Sequence, residues 1–141
     1  PWDCGLCPDH EQHSCVGIIE ITEACNLRCP VCFSDSSPER AVHRSLDQID
    51  FMLDALVASE GEPDVVQISG GEPTEHPRLL DVLRLARQKP IRHLMLNTNG
   101  VRLAREPALV EALREFQPGF EVYLQFDALD DSALQDIRGA D

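Results

Sequence analysis

The sequence predicts an α/β domain built on a parallel sheet, and three observations carry that expectation. Four short runs, at residues 16–22, 65–69, 91–96 and 120–126, are rich in apolar and β-branched residues and read as strands. Segments with apolar residues at helical spacing lie between them. The runs are nearly continuous in apolar character, and parallel strands need helical crossovers of this kind. Four βα units follow in sequence, with no long linker, no low-complexity tract and no repeat beyond the βα period.

The elements can be justified in order. Val-Gly-Ile-Ile-Glu-Ile-Thr at 16–22 gives the first strand. Ser45 followed by Gln48 is a capping-box start, and Leu46, Ile49, Leu53, Leu56 and Val57 continue at helical spacing to Gly61. Val-Val-Gln-Ile-Ser at 65–69 is the second strand. Residues 77–88 place Leu79, Leu80, Leu83 and Ala86 on one helical face, closed before Pro90. The third strand is expected at 91–96. Pro107 suits the first turn of a helix whose face carries Leu109, Val110, Leu113 and Phe116. The fourth strand is expected at 120–126, and a further helix begins at 131–138.

Composition narrows the function classes. A chain of 141 residues is long enough for one modest domain with its own core. Its formal charge of -13 argues against tracking a phosphate backbone, so no nucleic-acid partner is expected. No apolar run approaches the roughly 20 residues of a membrane span, and no signal peptide is visible, although a truncated start could have lost one; the expected cytoplasmic location follows from cysteines used as ligands in a reducing compartment. All 6 cysteines fall in the first 32 positions. About a hundred cysteine-free residues of ordinary α/β pattern follow, which favours metal or cluster ligation over disulfides.

The chemistry concentrates where strands end. After the first strand come Cys25, Cys29 and Cys32 in one short loop. Three thiolates at this spacing can hold three irons of a four-iron cluster and leave the fourth iron open, whereas a structural site more usually closes its shell. The second strand runs into Gly70-Gly71-Glu72-Pro73-Thr74, the third into Asn97-Thr98-Asn99-Gly100, and the fourth ends with Gln125 and Asp127. The C-terminal ends of parallel strands share one rim, so these four segments are expected to converge there. Gly70 and Gly71 lack side chains, so backbone can approach a ligand closely.

The cysteine motif followed by aromatic Phe33, together with Gly70-Gly71-Glu72-Pro73 at a strand end, resembles the radical S-adenosylmethionine (SAM) superfamily over nearly all of residues 16–141. The resemblance implies a partial (β/α)6 TIM-like barrel, of which about four βα units are present. The start at Pro1 and the stop at Asp141 read as those of a piece of a longer protein, with the remaining units beyond it. It implies that Cys25, Cys29 and Cys32 bind a 4Fe–4S cluster whose open iron takes the amino and carboxylate groups of SAM. Gly70 and Gly71 carbonyls, with Glu72, would accept hydrogen bonds from the ammonium group, and Pro73 would fix the turn. Phe33 would stack near the adenine, a plain core aromatic being the alternative. Asn97, Thr98, Asn99, Gln125 and Asp127 would line the ribose and carboxylate side of SAM or face substrate.

Residues 1–15 form a separate Cys-rich extension ahead of a barrel core at 16–141. Its Cys4, Cys7 and Cys15 are similar to those of the branch containing pterin methyltransferase-like and tetraether lipid synthase-like enzymes, whose members carry extra clusters. With an upstream cysteine they could ligate an auxiliary 4Fe–4S cluster. His10 and His13 leave a mixed zinc site open. The resemblance implies a transferase that cleaves SAM reductively to a 5′-deoxyadenosyl radical for methylation or C–C bond formation at an unactivated carbon of a small-molecule or lipid substrate. Electrons would come from a donor such as ferredoxin or flavodoxin. Two alternatives are a SPASM-like peptide-modifying maturase and a non-catalytic zinc- or Fe–S-binding interaction module.

Overall fold

The computed structural model describes residues 14–139. Strands β1 (Val16–Glu20), β2 (Val65–Ser69), β3 (His93–Thr98) and β4 (Phe120–Leu124) form one sheet in the order β1-β2-β3-β4. Every neighbouring pair is parallel. Helices α1 (Leu46–Glu60), α2 (Leu79–Arg87), α3 (Val101–Arg105), α4 (Pro107–Leu113) and α5 (Asp131–Arg138) complete the chain. This is a partial TIM-like barrel, as expected. No helix among the described residues is long and apolar enough to cross a membrane.

The two faces of the sheet differ because side chains alternate along each strand. One face sends Ile19, Val66, Ile68, Leu94, Leu96 and Phe120 into a core with Ile49 and Leu53 of α1 and with Val82, Leu83 and Ala86 of α2. Most of these side chains are wholly buried, and each contributes about 1.5–3 kcal/mol of transfer free energy. The other face carries no such cover. There Val16 and Ile18 are exposed, and Gln67, Ser69, His93, Asn97 and Glu121 add polar groups.

Three strands and one helix depart from the sequence expectation, β4 ending two residues early at Leu124. β1 stops two residues early. β3 lies two residues later than expected, since the Ile91 amide closes a turn onto the Lys89 carbonyl and the His93 amide bonds the Asp64 carbonyl instead. Asn97 and Thr98 are therefore strand residues. Helix α3 has no apolar stripe to announce it. It starts because Gly100 takes a left-handed φ of 80° and the Asn99 side chain accepts from the Val101 amide at 3.0 Å.

The capping box at α1 forms as its sequence pattern suggests. The Ser45 hydroxyl accepts from the Gln48 amide at 3.2 Å, and the Gln48 side chain accepts from the Ser45 amide at 2.9 Å. Ser45→Ala is expected to cost about 1 kcal/mol in denaturant unfolding, and Ser45→Gly only a few tenths. Unchanged stability in Ser45→Ala would show that the hydroxyl does not cap the helix.

Candidate functional site

Beyond β1, backbone pairing continues although the regular strand has ended. The Ile21 amide bonds the Ser69 carbonyl at 2.9 Å, Gly71 bonds Thr22 at 2.8 Å, and Glu72 bonds Ala24 at 2.8 Å. The chain entering the cysteine loop is thus laced onto the segment after β2. A Cβ at Gly70 would lie 2.5 Å from the Thr22 carbonyl oxygen. One at Gly71 would lie 2.4 Å from the Ala24 oxygen and 2.7 Å from Ser36 Cβ. Both glycines are needed, and the close approach that demands them is protein backbone, not only a ligand.

That lacing places the three cysteines and the glycines around one cleft of about 410 Å³. Its lining includes Cys25, Cys29, Cys32, Phe33, Gly70, Gly71 and Glu72. Asn97, Thr98, Asn99, Gln125 and Asp127 line it too, so four strand ends contribute. Pro73 is the exception among the expected residues. It is buried in the 3-10 turn Pro73–Glu75 behind Glu72, away from the lining, and shapes the turn only. Phe33 is 82% exposed at the cleft mouth, which removes the core-aromatic alternative.

The sulfurs are differently set. Burial raises the Cys25 thiol above its ordinary value, against the lowering effect of the Leu27 amide at 3.5 Å. At Cys32 burial pushes the same way, but it is outweighed by the Ser36 amide at 3.5 Å and the Ser34 hydroxyl at 3.6 Å, and the thiol sits below its ordinary value. Among the described residues, no three His, Cys, Asp or Glu side chains converge on a point that one metal ion could occupy. Cys25, Cys29 and Cys32 are all free thiols facing one space. That donor set fits a bulkier iron–sulfur group with ligands on separate irons, and amides aimed at sulfur suit bound thiolates.

Glu72 carries a structural task that the sequence does not announce. Its side chain is 1% exposed. Oε1 accepts from the Thr74 amide at 3.0 Å and from the Thr74 and Thr98 hydroxyls, each at 2.6 Å. Oε2 accepts from the Asn99 amide at 2.8 Å. The carboxylate therefore knots the segment after β2 to the end of β3, and only Oε2 keeps spare acceptor capacity for a ligand. Arg102 supports the same knot by donating to the Thr74 carbonyl while pairing with Glu106 at 2.8 Å.

Arg28, between two cysteines, pairs with Glu39 on the surface. Arg138 of α5 lines the cleft, pairs with Asp127, and donates to the Gln125 carbonyl at 3.3 Å. A helix beginning at Asp131 was legible, but its fold back over the cleft was not. Cys15 is exposed beside Ser14, whose amide and hydroxyl each bond Glu60 at 2.8 Å. Cys4 and Cys7, with His10 and His13, lie outside the described residues.

Residues 19–141 match the Radical SAM superfamily. The chain belongs to that superfamily. It is 34% identical to a 7,8-dihydro-6-hydroxymethylpterin dimethyltransferase of Methanocaldococcus jannaschii, over 99% of this chain and 27% of that protein. It is 36% identical to a GTP 3′,8-cyclase of Chlorobaculum tepidum, over 87% of this chain and 36% of that protein. Among solved structures, Streptococcus suis SuiB bound to S-adenosylmethionine superposes with a TM-score of 0.68 at 20% identity, covering 89% of this chain and 26% of that one, a likeness of fold. The chain thus spans about a quarter to a third of each relative's length.

Two outcomes test this geometry. In the metal-free protein, alkylation of Cys32 is expected to rise at lower pH than that of Cys25, read by mass spectrometry across a pH series; coincident profiles would contradict the hydrogen-bonding difference. Glu72→Gln keeps the volume but turns an N–H toward groups that donate, so it is expected to destabilise the fold by about 1–3 kcal/mol. Unchanged stability would mean that Glu72 is free for a ligand instead.

Proposed function

We propose that the protein is a radical SAM enzyme in which Cys25, Cys29 and Cys32 hold a 4Fe–4S cluster and Gly70, Gly71 and Glu72 cradle the methionine end of SAM. The observation that carries this reading is the single cleft shared by the three thiols and the glycine segment. A 4Fe–4S cluster held by Cys25, Cys29 and Cys32 would supply the one-electron reduction that cleaves SAM to methionine and a 5′-deoxyadenosyl radical, the species that would take hydrogen from an unactivated carbon. The protein's own part is positional. Gly70 and Gly71 present backbone carbonyls, Oε2 of Glu72 has acceptor capacity toward an ammonium, and Phe33 stands at the mouth, placed to cover an adenine. Asn97, Thr98, Asn99, Gln125 and Asp127 offer hydrogen bonds along the remaining wall to ribose or to substrate.

Methylation or C–C bond formation on a small molecule is the outcome we favour. The pterin dimethyltransferase similarity over nearly the whole chain supports methyl transfer, and the cyclase similarity supports bond formation. Both relatives are named for reactions of nitrogen heterocycles, which suits a cleft lined by polar Asn97 and Gln125 together with aromatic Tyr123 and Phe126. Cys4, Cys7 and Cys15 are proposed as ligands of an auxiliary cluster. A ferredoxin or flavodoxin in the cytoplasm is the proposed electron source.

Anaerobic reconstitution of the full-length protein with iron, sulfide, a chemical reductant and SAM is expected to yield 5′-deoxyadenosine. Cys32→Ala is expected to lose both the cluster and the product. A fully loaded cluster that forms no 5′-deoxyadenosine would overturn the reading.

A further inference from the structure

Asn26 sits between the first two cysteines and does not itself line the cleft. Its amide oxygen accepts a hydrogen bond of 2.7 Å from Asn99 Nδ2, a residue 73 positions away. Asn99 is fixed at two further atoms. Its amide donates to Glu72 Oε2 at 2.8 Å, and its Oδ1 accepts from the Val101 amide at 3.0 Å. The Nδ2 group therefore has little freedom to move, and the buried Glu72 carboxylate anchors it from below. Asn26 is the far end of a chain of bonds that runs from the β2–β3 knot up to the cysteine loop.

The rest of that loop needs such an anchor. The Cys25 amide is held by the Ser37 carbonyl at 3.3 Å, at the start of the loop. The Leu27 amide turns back on Cys25 Sγ, within the loop. The Arg28 amide meets the Arg138 carbonyl of α5 at 3.2 Å. None of these three ties the Cys25-to-Cys29 segment to the strand ends where the glycine shelf is fixed. The Asn26–Asn99 bond does.

We propose that Asn26 is a positioning residue. By accepting the Asn99 amide hydrogen it sets the height and tilt of the cysteine loop over the Gly70–Gly71 shelf, and so the alignment of the cluster's open iron with its ligand. This rests on the proposed function above. A loop that has lost the bond still offers three thiols and still takes up iron, but it presents the iron in a spread of orientations. The loss of one such bond corresponds to about a three- to tenfold change in ligand affinity.

The test uses the full-length protein reconstituted with iron and sulfide, with Asn26→Ala, Asn26→Asp, Asn99→Asp and the double variant Asn26→Ala/Asn99→Asp. Asn26→Asp keeps an acceptor oxygen for the Asn99 donor. Asn99→Asp removes that donor yet keeps the oxygen that caps α3. Iron content, SAM affinity by calorimetry, and the electron paramagnetic resonance spectrum of the reduced cluster with and without SAM are measured. Asn26→Ala is expected to retain wild-type iron content, weaken SAM binding three- to tenfold and alter the SAM-induced spectral shift, while Asn26→Asp stays near wild type. The double variant is expected to be no worse than the poorer single one, because both remove the same bond. Wild-type affinity and spectra in Asn26→Ala, or fully additive effects in the double variant, would overturn the proposal. If Asn26→Ala fails to load, the same comparison is read from Asn26→Ser, whose shorter side chain cannot reach Asn99 and which leaves the cleft lining untouched. Absence of SAM binding by the loaded wild-type protein would instead sink the proposed function, and the midpoint potential and spectrum of the variants' reduced clusters would still decide the role of Asn26.

Discussion

Everything at the rim depends on backbone pairing that outlasts the strands that begin it. Three amide–carbonyl bonds, from Ile21, Gly71 and Glu72, extend the β1–β2 edge past the last regular residues. They carry the cysteine loop sideways until it stands beside the end of β2. Such a path is open only where no side chain intervenes, and at Gly70 and Gly71 even one carbon atom would overlap the neighbouring carbonyls. Two glycines therefore do double duty. They let two loops fuse into one wall, and they leave bare backbone facing the space between the loops.

Glu72 fixes the third strand to the same wall. A carboxylate this deeply buried is tolerable because four donors surround it, two from its own turn and two from the end of β3. The arrangement makes the cleft a composite of distant segments that cannot shift independently. It also divides labour across the sheet. The helix-covered face supplies cohesion through aliphatic packing, while the opposite face and the rim hold the polar groups that chemistry needs.

Much of this was legible in the sequence, for definite reasons. Strands rich in Val and Ile, and a capping box at Ser45, are local signals that tertiary packing did not overrule. The convergence of the cysteines with Gly70, Asn97 and Gln125 followed from parallel topology alone. What stayed hidden depended on long-range partners. Glu72 beside two glycines reads only as a ligand residue, and its second task, joining Thr98 and Asn99 from 26 and 27 positions away, shows only in the fold. Asn97 and Thr98 look like loop because they are polar, yet they end β3, where Asn97 takes the uncovered face and Thr98 turns the other way to bond Glu72. Pro73 fixes the turn as expected, but from behind Glu72, outside the cleft lining.

The central claim is that the thiols and the glycine shelf enclose one ligand between them. Electron–nuclear double resonance on the reduced, cluster-loaded full-length protein, with SAM labelled with nitrogen-15 at its amino group, addresses it most directly. Hyperfine coupling between the cluster and that nitrogen is the expected result, since the shelf delivers the amino group to the open iron. A loaded cluster with SAM bound and no coupling to the nitrogen would contradict the account.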